Sequence, residues 1–193
     1  MRNTLIALTL TLVFATTSAA EKLLPHPQIV METSMGTIRI ELDGKEAPMT
    51  VAHFVELAEA GFFDGLIFHR VIDGFMIQGG GYTPDFKARE DEATIANESG
   101  NKYSNVRGTI AMARTGDPHS ANSQFFINLV DNSRLDPQKD VVRGRWGYTV
   151  FGYVVSGMEI VDAIAQVEKA PQEGFPDAPV VPIVIKKLTH VTN

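Results

Sequence analysis

The chain has 193 residues, a formal net charge of −6, 44% hydrophobic and 21% charged residues, and no cysteine. That length can bury one substantial core, and the composition is that of a folded globular protein rather than a disordered or fibrous one. The acidic balance argues against nucleic acid as a partner, and without cysteine there are no disulfides, no thiol chemistry and no cysteine-ligated metal.

Residues 1–20 read as a signal peptide: Arg2 gives a positive start, Leu5–Phe14 an apolar centre, and Ser18-Ala19-Ala20 a small-residue cleavage site. The apolar stretch is about ten residues, half of the roughly 20 that span a bilayer, so an exported protein of the periplasm is expected rather than an anchored one. A Pro-containing lead occupies residues 21–28, and one domain is expected over 29–190.

Thr37–Leu42 alternates polar and apolar residues, which predicts a half-buried strand with Ile38, Ile40 and Leu42 facing the core. Thr50 is placed to cap a helix whose Val51, Phe54, Val55 and Ala58 form one apolar stripe, with Gly61 at its exit. Strand-length apolar runs follow at Leu66–Ile72, Phe75–Gln78, Thr109–Ala113, Gln124–Val130 and Tyr148–Val155, separated by turn-forming residues. A second helix is predicted over Met158–Val167 and a last strand over Val180–Leu188, with Pro182 confined to its start or edge. Two helices among many short strands favour a mainly β fold, closed or sandwiched, over a βαβ repeat.

The five histidines, at positions 26, 53, 69, 119 and 190, show no metal-ligand spacing, and neither a metal nor an organic cofactor is expected. Gly79-Gly80-Gly81 lacks the Lys-Ser/Thr of a phosphate loop and reads as close backbone packing. Asn97-Glu98-Ser99 matches a glycosylation sequon, a pattern too short to carry an argument.

More informative is a set of dense segments. These are Phe68-His69-Arg70-Val71-Ile72, Phe75-Met76-Ile77-Gln78-Gly79-Gly80, Gly108-Thr109-Ile110-Ala111-Met112-Ala113, Asn122-Ser123-Gln124-Phe125-Phe126-Ile127 and Val150-Phe151-Gly152. Read from patterning alone they could wall an extended peptide, but ordinary strand alternation with Arg70 on the surface is the favoured reading. In their order, however, they resemble the signature blocks of the cyclophilins, and the match spans nearly all of Ile29–Leu188.

The resemblance implies a closed eight-stranded antiparallel β-barrel capped by two α-helices. It also implies a metal-independent peptidyl-prolyl cis/trans isomerase. Its partners would be proline-containing segments of unfolded or partly folded exported proteins, and it would act as a monomer. Arg70 would be the catalytic residue, with Gln78 orienting it. Phe75, Met76, Phe126 and Leu135 would form the proline pocket, and Ala113, Gln124 and Tyr148 would contact the substrate. A proline-binding module or holdase using the same groove is the competing expectation. Arg114, Arg134 and Tyr148 depart from the common pattern, where Asn, an aromatic residue and His are frequent, and the Pro137–Gly147 connection is longer than in compact relatives. His69 neighbours Arg70, but strand alternation would send it to the opposite face, so no acid–base role is expected of it.

Overall fold

Strand alternation organises the molecule. In the computed structural model, which describes residues 26–89, 91–138 and 146–191, the expected strand is β2 (Gly36–Leu42), and its Ile38, Ile40 and Leu42 are fully buried. It pairs with a strand that the sequence reading did not predict, β1 (Gln28–Thr33), which starts at the last residue of the expected lead and whose Ile29 and Met31 enter the same core. The chain continues through α1 (Pro48–Glu59), β3 (Phe68–Ile72), β4 (Met76–Gly79), β5 (Thr109–Met112), β6 (Phe125–Asn128), β7 (Val150–Ser156) and α2 (Met158–Ala165). It ends in β8 (Lys169–Gln172), β9 (Phe175–Pro179) and β10 (Ile185–Val191).

Eight strands form one antiparallel sheet in the order β10-β1-β2-β7-β5-β6-β4-β3. The sheet curls until its edges approach. There Phe68 N donates to Ile183 O at 3.0 Å, Ile185 N donates to Leu66 O at 2.7 Å, and Ile67 and Val184 form an isolated bridge. One bridged pair is less than a strand ladder, so "closed" overstates the expected barrel. Its interior holds an aromatic cluster in which Phe54 of α1 lies 5.0 Å from Phe63, 5.6 Å from Phe125 and 5.0 Å from Phe151, centroid to centroid. Val161, Ile164 and Ala165 of α2 join the same core. Burying a phenylalanine fully contributes about 1.5–3 kcal/mol, so this cluster is a principal stabiliser of the fold.

Two local expectations are corrected. Thr50 is not the helix cap, because Pro48 already occupies the first turn, where its missing N–H costs nothing. The exposed donors of that turn are instead met from a distant loop. Glu98 accepts from Met49 N at 3.1 Å, from Thr50 N at 2.9 Å and from the Thr50 hydroxyl at 2.7 Å. A carboxylate at a helix N-terminus is favoured by the axial dipole as well as by these bonds. The last strand begins at Ile185, not Val180, and runs to Val191; Pro182 lies before it and Val181 is 73% exposed. Upstream of it, Lys169–Pro179 form the β8–β9 hairpin, which the sequence reading did not anticipate. The segment read as a signal peptide lies outside the described residues.

Candidate active site

Because neighbouring strands are in register, side chains of one rung share a face. The rung Val71–Ile77–Ile127–Ile110 points inward, and all four residues are fully buried. The next rung, Arg70–Gln78–Phe126–Ala111–Val150, points outward across five strands. On that outer face Met76, Ala111, Phe126 and Val150 form a second apolar cluster, packed with Phe75, Ala113, Leu135 and Tyr148. A groove of about 340 Å³ lies over it. Every one of the nine expected site residues lines this groove: Arg70, Phe75, Met76, Gln78, Ala113, Gln124, Phe126, Leu135 and Tyr148.

The polar side is a relay. Gln124 Oε1 accepts from Gln78 Nε2 at 3.0 Å, and Gln78 Oε1 accepts a longer bond, 3.4 Å, from an Arg70 terminal nitrogen. Opposite Gln78, the carboxylate of Asp177 on β9 stands 4.0 Å from Arg70 Nε. Both side chains of that pair are more than a third exposed, so the contact orients the guanidinium more than it stabilises the fold.

The apolar walls are held by buried amides. Asn132 Nδ2 donates to Phe75 O at 2.9 Å and to Asn128 Oδ1 at 2.8 Å, while Asn128 Nδ2 donates to Thr109 Oγ1 at 2.9 Å. Asp136 accepts from the Ser104 hydroxyl, from Asn105 N at 2.7 Å and from Asn105 Nδ2 at 3.0 Å, and Tyr148 N donates to Leu135 O at 2.9 Å. A satisfied polar network fixes geometry where an apolar contact would tolerate slippage. The tight approach of β4 to β6 needs Gly80: its φ is +85°, and a Cβ there would lie 2.9 Å from the Phe125 ring.

Tyr82 and Phe175 also line the groove and were missed by the sequence reading, as was Asp177 beside it, while Arg114, noted there as a departure from the common pattern, lines the groove too. Phe175 and Asp177 sit on the unanticipated hairpin, and nothing local in Phe175–Pro179 signals its docking against β3. Trp146 packs edge-on to His119, 5.2 Å between centroids, so the aromatic residue absent at Arg134 is not supplied from there. Among the described residues no group of three or more His, Asp or Glu side chains is arranged to hold a metal.

Residues 28–190 match the family described as cyclophilin type peptidyl-prolyl cis-trans isomerase. A peptidyl-prolyl cis-trans isomerase of Streptomyces antibioticus is 49% identical over 82% of this chain and 95% of its own length. Peptidyl-prolyl cis-trans isomerase B of Escherichia coli (strain K12) is 44% identical over 83% of this chain and 98% of its own. Among solved structures, a cyclophilin type isomerase of Cryptosporidium parvum superposes with a TM-score of 0.71 at 23% identity, covering 87% of this chain and 99% of that one, a likeness of fold.

His69 corrects a further expectation. Phe68 pairs with Gly79 and Arg70 with Gln78, so β3 bulges by one residue at His69. The bulge breaks the alternation, and His69 lines the groove beside Arg70 instead of facing away. Its ring packs edge-on to Tyr82 and Phe175, it is 2% exposed, and Nδ1 has no hydrogen-bond partner among the described residues. Burial, reinforced by the charge of Arg70, lowers its pKa from 6.5 to about 4. The imidazole is therefore neutral at pH 7 and unsuited to donate a proton there. A folded pKa below the unfolded value means that unfolding takes up a proton between the two. The stabilisation is complete above pH 6.5 and is lost as pH falls towards 4. Between pH 7.5 and 4.5 this group alone should cost on the order of 2 kcal/mol of folding stability. Urea denaturation at the two pH values should show that component in the wild type and not in His69→Phe.

Proposed function

We propose, for a chain that belongs to the cyclophilin-type peptidyl-prolyl cis-trans isomerase family, that Arg70 is the catalytic residue of its groove. The isomerase accelerates rotation about X-Pro bonds, a reaction that makes and breaks no covalent bond. An amide must lose its conjugation to rotate, across a barrier of about 18–20 kcal/mol. As it twists, the prolyl nitrogen becomes pyramidal and basic. A fixed donor aimed at that nitrogen or the adjacent carbonyl then stabilises the twisted amide more than the planar one. A guanidinium suits this role because it stays charged and releases no proton.

The observation that carries this reading is the outward rung itself. Arg70 is the cross-strand neighbour of Gln78, and Gln78 of Phe126, so a polar relay and an apolar floor meet at one edge. Phe75, Met76, Phe126 and Leu135 would take the proline ring, excluding water from the twisting bond. Gln78 and Gln124 would position Arg70 and address the substrate backbone, while Ala113 and Tyr148 would flank the neighbouring residues.

The clients we propose are proline-containing segments of exported proteins that have not finished folding, met in the periplasm. Support for this comes from residues 1–20, whose charged start, short apolar centre and Ser18-Ala19-Ala20 site stand in the order of a signal peptide. Intact-mass analysis of protein from its native host should find Glu21 first, and a cytoplasmic product retaining Met1 would remove this part of the proposal.

Arg70→Ala should keep its thermal melt, because the side chain is partly exposed, yet lower catalysed isomerisation roughly 10²–10³-fold. Peptide affinity should fall much less. Exchange NMR on an X-Pro peptide, with matched titrations, reads both. Full turnover in the folded variant would take Arg70 out of the mechanism and favour a proline-binding module.

A further inference from the structure

Among the described residues the charged side chains that line the groove are both cationic, Arg70 and Arg114, and the carboxylate beside it, Asp177, stands at Arg70. Arg114 lies over the Tyr148 ring, 4.6 Å from its centroid, and Arg134 lies over the Phe75 ring at 4.5 Å. Tyr148 and Phe75 are walls of the groove, so two cations are held at its rims by cation–π contact.

Among the described residues no carboxylate neutralises either cation. Arg114 donates to Gly147 O at 3.2 Å, Thr115 O at 2.9 Å and Trp146 O at 2.6 Å, backbone acceptors that fix the side chain and leave its charge in place. Among the described residues neither Arg114 nor Arg134 has a carboxylate within 4.0 Å. Away from the groove the described cations are mixed: Lys87, Lys102 and Arg107 have one, at 2.7, 2.7 and 2.8 Å, while Arg39, Lys45, Arg89, Lys169, Lys186 and Lys187 have none among the described residues. What sets the groove apart, in a chain of net charge −6, is that three arginines, Arg70, Arg114 and Arg134, stand together where a peptide would lie. Low-dielectric aromatic walls focus such a field, and a planar guanidinium matches a carboxylate in two parallel hydrogen bonds.

We infer that this groove prefers proline segments whose flanking residues are acidic, with Arg114 and Arg134 as the residues that set the preference. The inference rests on the isomerase reading of the groove and adds a substrate class to it. At 0.1 M salt the Debye length is about 10 Å, so contacts with the rim act while the acidic remainder of the surface is largely screened. One exposed ion pair contributes up to about fivefold, and two together on the order of tenfold.

The test uses capped peptides that differ only in the residues flanking one proline: Glu-Pro-Glu, Gln-Pro-Gln and Lys-Pro-Lys. Catalysed rates, as kcat/KM by exchange NMR, are compared for the wild type, Arg134→Gln and the double variant Arg114→Gln/Arg134→Gln, at 0.1 M and 1 M salt. The wild type should favour the Glu over the Lys peptide on the order of tenfold at 0.1 M salt, with the Gln peptide between. The ratio should shrink at 1 M salt, shrink in Arg134→Gln and approach one in the double variant. If the wild type accelerates the Gln peptide but treats Glu and Lys alike, the inference fails and the isomerase reading stands. If it accelerates none of the three, both fail. A preference that survives in the double variant would overturn the assignment to these arginines.

Discussion

The site depends on strand register. Arg70, Gln78, Phe126, Ala111 and Val150 belong to five different strands, and they share a face only because each pair is locked opposite the next. A slip of one residue would exchange every outward side chain for an inward one, burying Arg70 and exposing Val71. That exchange is opposed by the core: Val71, Ile77, Ile127 and Ile110 are fully buried on the other face of the same strands. The apolar interior therefore fixes the polar exterior, and the groove inherits its rigidity from residues that never touch it.

Register alone would leave the groove open-sided. The loops add its remaining walls, and loops need polar anchors because they lack ladders. Asn128 and Asn132 do this from the end of β6, tying Phe75 to the sheet, and Asp136 ties the Leu135 turn to Ser104 and Asn105. Removing one partner of such a buried bond leaves the other unsatisfied, at a cost of about 1–3 kcal/mol, which is why a polar network holds a shape more firmly than its net energy suggests. The β8–β9 hairpin closes the side next to Arg70, bringing Phe175 onto His69 and Asp177 to the guanidinium edge.

Much of this was legible in the sequence, for identifiable reasons. Period-two alternation gave β2 and its inward set, and the 3.6-residue stripe gave α1. Of the nine expected groove residues, Arg70, Met76, Gln78 and Phe126 lie on paired strands, where sequence spacing maps onto space, and Phe75, Ala113, Gln124, Leu135 and Tyr148 sit on the turns and loops that flank them. What was not legible was non-local. Glu98 replaces Thr50 as the partner of the α1 N-terminus from 48 residues away, and no spacing rule reaches that far. The bulge at His69 depends on how β3 pairs with β4, so alternation applied to β3 alone put the imidazole on the wrong face. Arg114 and Arg134 were noticed as departures, but their lack of carboxylate partners among the described residues is a property of the folded surface.

The central claim is that a fixed charge, with no proton transfer, lowers the barrier to rotation. Its most direct test is the pH dependence of kcat/KM on a neutral X-Pro peptide with capped ends, measured by exchange NMR from pH 5.5 to 9. The guanidinium remains charged throughout, and His69, with its pKa lowered to about 4, remains neutral. A flat profile is expected. A sigmoidal or bell-shaped profile with a midpoint near 6.5 would show that an ordinary imidazole takes part in the reaction, and would contradict the claim.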